Sequence, residues 1–590
     1  MEIFEGNNDS IVSRIKLLLL MVAPTLGYTC TIMHPTAAKD GACGHVIGYS
    51  LVTILLGIPL LYMEMVVSQF SSRDCLDMWR ARPVLAHVGY VNVVWQLICL
   101  LYNHVAATFL LHYLLISFEK KVPYFQCGPW ATENCNLMQR NYTLRQDCLQ
   151  TDEPEQYCFS MHTTFSEYQY WRYYILGGKS RYEIFVARRV CLSSFMLCVI
   201  VYFTCFKRGR ALSQLIPVYV IFPYVGFLVF LLGSMLQKGV VQKYSEVLDS
   251  SFTEFSKRTV TTSLIHQGLY ALNMGTGVMM NLSSGASFHL PAHSHAVICG
   301  VASATFSALV IFTTVMTTCP FTFEYGLQVA TDMTQPLHLL FEKMPMMIHE
   351  YSNPSFYLLL MFSCQTVVGV NTVVILFYSL TEMIYKRYNK FAAYPALFSL
   401  FGVLFLFGAS VPLLGPFGIN VIIEAKMGYM VMLPTFMLIL EIIVFTVWYG
   451  FDKLAADIHF MQGIQPWTFL KVFWIFSLII LCYTFINELY LKYSHVGMST
   501  DPVGLVMLCS FVVIIIIGCM VRLTIAACRG RLSEALQLDD KFGPNSELLR
   551  RSRAMFTAQA MTKEYMYRQY HLQAGVVARQ RRSNVRAYAV

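Results

Sequence analysis

ALNMGTGVMMNLSSG, residues 271–285, interrupts an otherwise apolar segment in a way that lipid penalises. It holds Asn273-Met274-Gly275-Thr276-Gly277, then Asn281, Ser283, Ser284 and Gly285. Glycine tolerates non-helical dihedrals, and unwound backbone at membrane depth survives only where it lines a cavity or is buried in protein. A second stretch has the same character. Near the N-terminus, Pro24, Gly27 and Pro35 surround polar Tyr28, Thr29, Cys30 and Thr31. Proline removes a helix donor, so both segments are expected to break.

Working outward from these breaks, the rest of the chain reads as membrane protein. Of 590 residues, 56% are hydrophobic, 14% aromatic and 13% charged, and the mean hydropathy is +0.52. A soluble chain would carry about twice that share of charge. The apolar residues fall in long blocks, and the roughly ten-residue alternating strands of a spanning barrel are absent. Taking roughly twenty apolar residues per span gives twelve, starting near 13, 46, 88, 187, 213, 262, 296, 355, 391, 417, 468 and 503. The breaks therefore fall in spans one and six, five spans apart. Such a pairing points to a binding site between two inverted repeats; the plainer alternative is a pair of packing kinks.

Charge orients the chain. The N-terminus (MEIFEGNNDS) is short and acidic, with no cleavable signal before the first span. Residues 522–590 carry thirteen Lys/Arg against five Asp/Glu, and KRGR (207–210) and YKRYNK (385–390) are basic short loops. The positive-inside rule places these on the cytoplasmic side. The implied division is a cytoplasmic N-terminus (1–12), a twelve-span region (13–525) and a basic cytoplasmic tail (526–590). The tail reads as solvated and orienting, with no nucleic acid as partner.

With both termini inside, segment 119–186 lies outside. It holds four of the eighteen cysteines (Cys127, Cys135, Cys148, Cys158) and the sequon Asn141-Tyr142-Thr143. Clustered cysteines suit an oxidising exterior, and Asn141 is an expected glycosylation site.

Several motifs carry a resemblance. Span two has Gly57-Ile58-Pro59-Leu60-Leu61-Tyr62-Met63-Glu64, followed by Ser68-Gln69-Phe70. An exterior segment has Cys127-Gly-Pro-Trp-Ala-Thr-Glu-Asn-Cys135; span five has Phe222-Pro223-Tyr224; span six has Gly275-Thr-Gly277. Later come Trp448-Tyr449-Gly450, Asp457-Ile458 and Met461-x-Gly463. In this order, over roughly residues 15–550, the set resembles the neurotransmitter:sodium symporters, solute carrier family 6.

The resemblance implies an all-α polytopic fold with twelve transmembrane helices, an inverted five-helix repeat and broken spans one and six, the LeuT-like arrangement. It implies a plasma-membrane carrier of a small amino-acid-like or amine solute working by alternating access, not an enzyme. The solute would sit between spans one, three, six and eight. Tyr102, Asn103, Asn273, Gly275, Gly277, Asn281 and Ser283 are the pocket candidates, and Glu64 is the gating or structural carboxylate. The resemblance also implies a Cys127–Cys135 disulfide.

Sodium coupling is implied as well, yet the residues argue against it. Where the family has a Ser or Thr ligand in span six this chain has Ala271, and where it has Asn in span seven this chain has Gly300. Cys364 and Gln365 stand where animal members carry Asp-Ser. A desolvated Na⁺ facing a thiol and a methyl is poorly compensated. The gate departs too: span one lacks the family's arginine (Tyr28 through His34-Pro35), and its acidic partner in span ten falls near Lys426, with Glu424 two residues earlier. Na⁺ is thus the one small ion in question, with no other cofactor.

The remaining constellations read as structural. His289, His293 and His295 resemble one box of a di-iron enzyme, but such a site needs several boxes, and Pro291 interrupts this one. His104 and His112, eight apart on span three, read as core histidines rather than a proton relay. Asn281 is either interhelical glue or a pocket residue. The function expected is transport, with a transport-inactive interaction or trafficking partner as the alternative.

Overall fold

The computed structural model describes residues 11–28, 30–31, 42–119, 121–132, 135, 165–176, 188–240, 258–325, 336–416, 418–419, 427–494, 502–539, 542–556 and 571. Among these, nine helices are long and apolar enough to cross a membrane. They are spans two (Ala42–Ser71), three, four, five, seven, eight, nine, eleven and twelve. Span ten (Met427–Ile442, continued to Trp448) joins them, bent by 90° onto the helix Phe451–Gln462.

Spans one and six complete the twelve, and each is too interrupted to count as one long helix. Span one runs Ile11–Val22 and tightens into a short turn at Ala23–Leu26, where Pro24 cannot donate. Span six runs Arg258–Ala271, unwinds, and resumes at Val278–Ser283. The sequence reading placed the span starts within a few residues of those observed. For span ten the predicted start lies outside the described residues.

Burial sorts the spans into scaffold and rim. Span eight (Pro354–Arg387) is 72% buried over its most apolar stretch and packs along span three (Val88–Ser117). Spans nine, eleven and twelve are only 22, 22 and 17% buried. They present Phe401, Phe405, Ile479 and Ile516 outward, so lipid is the solvent for these faces. The second half of span six lies against spans two and eight, which brings the broken segments to the centre.

The two ends differ. One carries the Cys127–Cys135 disulfide, present as expected with Cα atoms 5.9 Å apart. Asn141, Cys148 and Cys158 lie outside the described residues, as do His34, Pro35, Glu424 and Lys426. The opposite end carries the tail. Within residues 532–539 and 542–556 a few side chains anchor to the bundle, which the sequence reading did not anticipate, while Leu532, Leu536, Leu548 and Met555 stay exposed. Arg553 Nε pairs with Asp457 at 2.5 Å, Arg73 with Asp539 at 3.5 Å, and the Asp539 amide donates to the Ala81 carbonyl at 3.0 Å. Phe542 packs on Tyr449 and Phe556 on Phe460. Aromatic anchors beside a buried carboxylate give this segment a reason to leave water.

Candidate functional site

The break in span six is built by three left-handed residues. Asn273, Gly275 and Gly277 have φ of +56, +67 and +82°. For the two glycines, space agrees with dihedral. A β-carbon on Gly275 would lie 2.1 Å from the Pro434 carbonyl oxygen, and one on Gly277 2.7 Å from Gln96 Nε2. No other residue type fits either position.

Unwinding frees backbone groups that must be satisfied in the membrane interior, and named side chains meet them. The Gly275 amide donates to Glu64 Oε1 at 2.6 Å. Gln96 Nε2 donates to the Thr276 carbonyl at 2.8 Å. Asn273 donates its amide to the Pro24 carbonyl of span one, tying one break to the other. Span eight serves span one: Asn371 Nδ2 donates to the Ala23 carbonyl at 2.8 Å, and Thr372 Oγ1 accepts from the Tyr28 amide at 3.1 Å. Spans one, two, three, six and eight are thus joined at one depth by hydrogen bonds to unwound backbone.

Glu64 is buried at 1% exposure. Glu441 of span ten is buried as well, and its two oxygens, like Glu64 Oε2, have no hydrogen-bond partner among the described residues. Aromatic rings line the same region. Tyr28 meets Tyr102 edge-on with centroids 6.4 Å apart, and the Tyr270 hydroxyl lies 3.6 Å from Cys99 Sγ.

The other candidates divide. Asn103 turns back on its own helix, donating to the Cys99 carbonyl at 2.7 Å. Asn281 is committed to its neighbours: its oxygen accepts from the Cys75 amide at 2.9 Å, and its nitrogen donates to Ser379 at 2.9 Å and Gln96 at 3.3 Å. That geometry is an interhelical tie. Ser283 Oγ is buried without a partner among the described residues.

Of the four positions expected from the sequence to be lost sodium ligands, three carry no side-chain oxygen. Ala271 is 1% exposed. A β-carbon on Gly300 would lie 2.5 Å from Ile58 Cγ1, so the space an asparagine would need is filled by span two. Cys364 Sγ sits 2.1 Å from where a β-carbon on Gly226 would stand, so the thiol fills the hollow left by that glycine in span five. Only Gln365 offers a side-chain oxygen, buried and unpartnered among the described residues.

The histidines behave as core and surface groups. His104 Nε2 lies 3.0 Å from Ser194 Oγ, and His112 Nε2 3.4 Å from the Tyr170 hydroxyl. His289 and His293 are exposed while His295 is buried, and no group of three metal-ligating side chains occurs among the described residues. Sequence reasoning missed Tyr270, Asn371, Thr372 and Glu441. Glu441 alone carried a legible signal, as a carboxylate within an apolar span.

Residues 10–527 match the sodium:neurotransmitter symporter family. The sodium-dependent serotonin transporter of Drosophila melanogaster is 23% identical over 522 residues, covering 86% of this chain and 81% of that protein. The sodium- and chloride-dependent neutral and basic amino acid transporter B(0+) of Mus musculus is 24% identical over 494 residues, covering 79% of this chain and 76% of that protein.

Proposed function

The chain belongs to the sodium:neurotransmitter symporter family, and on that premise we propose that it carries a small amino-acid-like or amine solute across the plasma membrane by alternating access, with little dependence on sodium. In this reading both termini are cytoplasmic, and the exterior segment bears the disulfide and a glycan on Asn141.

One observation carries the proposal. The unwound segments of spans one and six are joined and their freed backbone groups satisfied, Asn273 to Pro24 and Gly275 to Glu64. Unwound backbone at membrane depth is kept only where it lines a passage or is buried in protein, and a binding site between the two breaks accounts for both being retained. Tyr28, Tyr102 and Tyr270 supply an apolar wall of the size and polarity that an aromatic or aliphatic amine solute requires.

Weak sodium dependence follows from the ligand positions. With Gly300 backed by Ile58 and Cys364 turned to Gly226, few hard oxygens remain to replace a hydration shell. The same closure favours the second reading, a transport-inactive relative acting as an interaction or trafficking partner. Uptake by purified, reconstituted protein separates the two. Amine and amino-acid solutes are offered with sodium, then with choline at constant ionic strength. Saturable uptake that survives choline supports the carrier; no uptake of any solute favours the inactive partner; a strict sodium requirement refutes the ligand-loss argument.

A further inference from the structure

A cavity of about 730 Å³ lies at the seam between the docked tail and the bundle, away from the central site. Its volume falls within the range of about 300–1,000 Å³ typical of small-molecule sites, but its lining is charged. Four cations reach it from three places in the fold: Arg73 after span two, Lys386 and Arg387 at the end of span eight, and Arg550 on the tail helix Glu547–Met555. Asp74 and Asp77 are the carboxylates on its wall.

The pairing within the wall is incomplete. Arg387 reaches both oxygens of Asp77 at 3.2 Å, and Arg80 shares that carboxylate at 3.0 Å. Asp74 Oδ1 accepts from the Leu76 and Asp77 amides, at 3.2 and 3.1 Å. Lys386 Nζ donates to a neutral hydroxyl, Ser284 Oγ, at 2.6 Å and forms no ion pair among the described residues, with Asp74 the carboxylate near it on the wall. No carboxylate pairs with Arg550 among the described residues, although it is exposed and turned to the cavity. Two cations therefore line a half-open polar cavity without a direct ion pair among the described residues, and its wall carries four cations to two carboxylates. Such an excess of positive charge is stabilised by an anion.

We propose that this seam cavity binds a phosphate-bearing polyanion through Lys386 and Arg550, and that the bound anion holds the tail against the bundle. A phosphate monoester matches the site better than a single carboxylate. It brings close to two negative charges and three acceptor oxygens, which Arg and Lys recognise together. Because one cation sits on the bundle and the other on the tail, the ligand bridges them. It thereby strengthens the neighbouring Arg73–Asp539 and Arg553–Asp457 clasps. The phosphate can come from a soluble polyphosphate or from a lipid headgroup of the adjoining leaflet.

The cytoplasmic source of such a ligand rests on the orientation proposed above; the binding itself does not. The test uses the full chain in detergent micelles, where neither orientation nor transport enters. Thermal unfolding is followed with inositol hexakisphosphate against sulfate at matched ionic strength. A second arm uses a short-chain phosphatidylinositol bisphosphate against short-chain phosphatidylcholine. The expected result is a saturable rise in melting temperature with a phosphorylated ligand and none with its control. Arg550→Gln is expected to weaken it about tenfold, the loss of one charge-assisted contact. Arg551→Gln, on a 77% exposed residue paired with Glu547, should leave it unchanged. Lys386→Gln tests the bundle side, and if that variant fails to fold Arg550→Gln still decides. A response to the free polyphosphate alone assigns a soluble anion, and one to the phosphoinositide alone assigns a headgroup. A response to both makes the phosphate groups the shared determinant. No saturable response to either, or equal weakening in Arg551→Gln, overturns the proposal.

Discussion

Gly300 of span seven lies so close to Ile58 of span two that a β-carbon on it would stand 2.5 Å from Ile58 Cγ1. If Gly300 stands at a sodium-ligand position, as proposed, that position is closed by packing as well as by composition. Restoring the ligand alone should fail. Gly300→Asn is expected to lower stability by about 1–3 kcal/mol through overpacking and to gain no sodium response. Gly300→Asn with Ile58→Ala should recover most of that loss, as read by thermal unfolding with and without sodium. A sodium-dependent rise in the single variant would contradict the packing argument.

Glu64 is expected to matter first as an acceptor. Glu64→Ala leaves the buried Gly275 amide without its partner, a loss of about 1–3 kcal/mol. Glu64→Gln keeps an oxygen at the same place and should lose clearly less. Melting of the two variants in the same detergent ranks them, and equal losses would show that the Gly275 contact is not what Glu64 provides.

The tail clasp has a similarly direct test. Asp457 is 2% exposed and is met by Arg553 and the Tyr449 hydroxyl. Removing one partner of a buried pair typically costs about 3–5 kcal/mol; Arg553 is 22% exposed, so Arg553→Ala should fall at or below the low end. Adding Asp457→Asn should restore part of the loss, because the stranded charge is gone. Protease cleavage near residues 536–546 reports the release.

Asp74 should contribute a tightening of binding in the seam cavity as pH falls, opposed by protonation of the ligand's own phosphates. Burial raises the Asp74 carboxyl above its ordinary value of 3.8, outweighing the amides of Asp77 and Leu76 and the nearby Lys386. Its protonated form is therefore reached at higher pH than for a free aspartate, and protonation removes one of two negative charges from the wall. Asp74→Asn should bind the polyanion more tightly and lose this part of the pH dependence. The residual dependence belongs to the ligand's own phosphates and to Asp77. An unchanged profile in Asp74→Asn would exclude Asp74 as the titrating group.

The exterior segment yields two outcomes. Cys127→Ser and Cys135→Ser should each destabilise it by about 2–3 kcal/mol, the loop entropy of a small ring, and the double variant should be no worse than either. Asn141→Gln should run faster on a gel after expression in a glycosylating cell. Additive cysteine variants, or unchanged mobility, would count against these assignments.

The sequence by itself determined the solvent, the number of spans and the places where two of them break. Length, hydropathy and helix-breaking residues are local properties that no tertiary contact overrides when twenty apolar residues must cross lipid. It also marked Glu64 and the Cys127–Cys135 pair, and raised the expectation of lost sodium ligands at Ala271, Gly300, Cys364 and Gln365. Asn281 shows the limit of such reading: only the placement of Cys75, Gln96 and Ser379 around it made it a tie. Tyr270, Asn371 and Thr372 carried no signal, since polar residues in a span are informative only once the backbone group they satisfy is known. The tail looked like a solvated basic segment because composition averages over residues. Its docking depends on a few anchors, Phe542, Arg553 and Phe556, that find Tyr449, Asp457 and Phe460 about one hundred residues earlier. Contacts at that separation are set by how the spans pack, so the seam cavity they enclose exists only in the folded molecule.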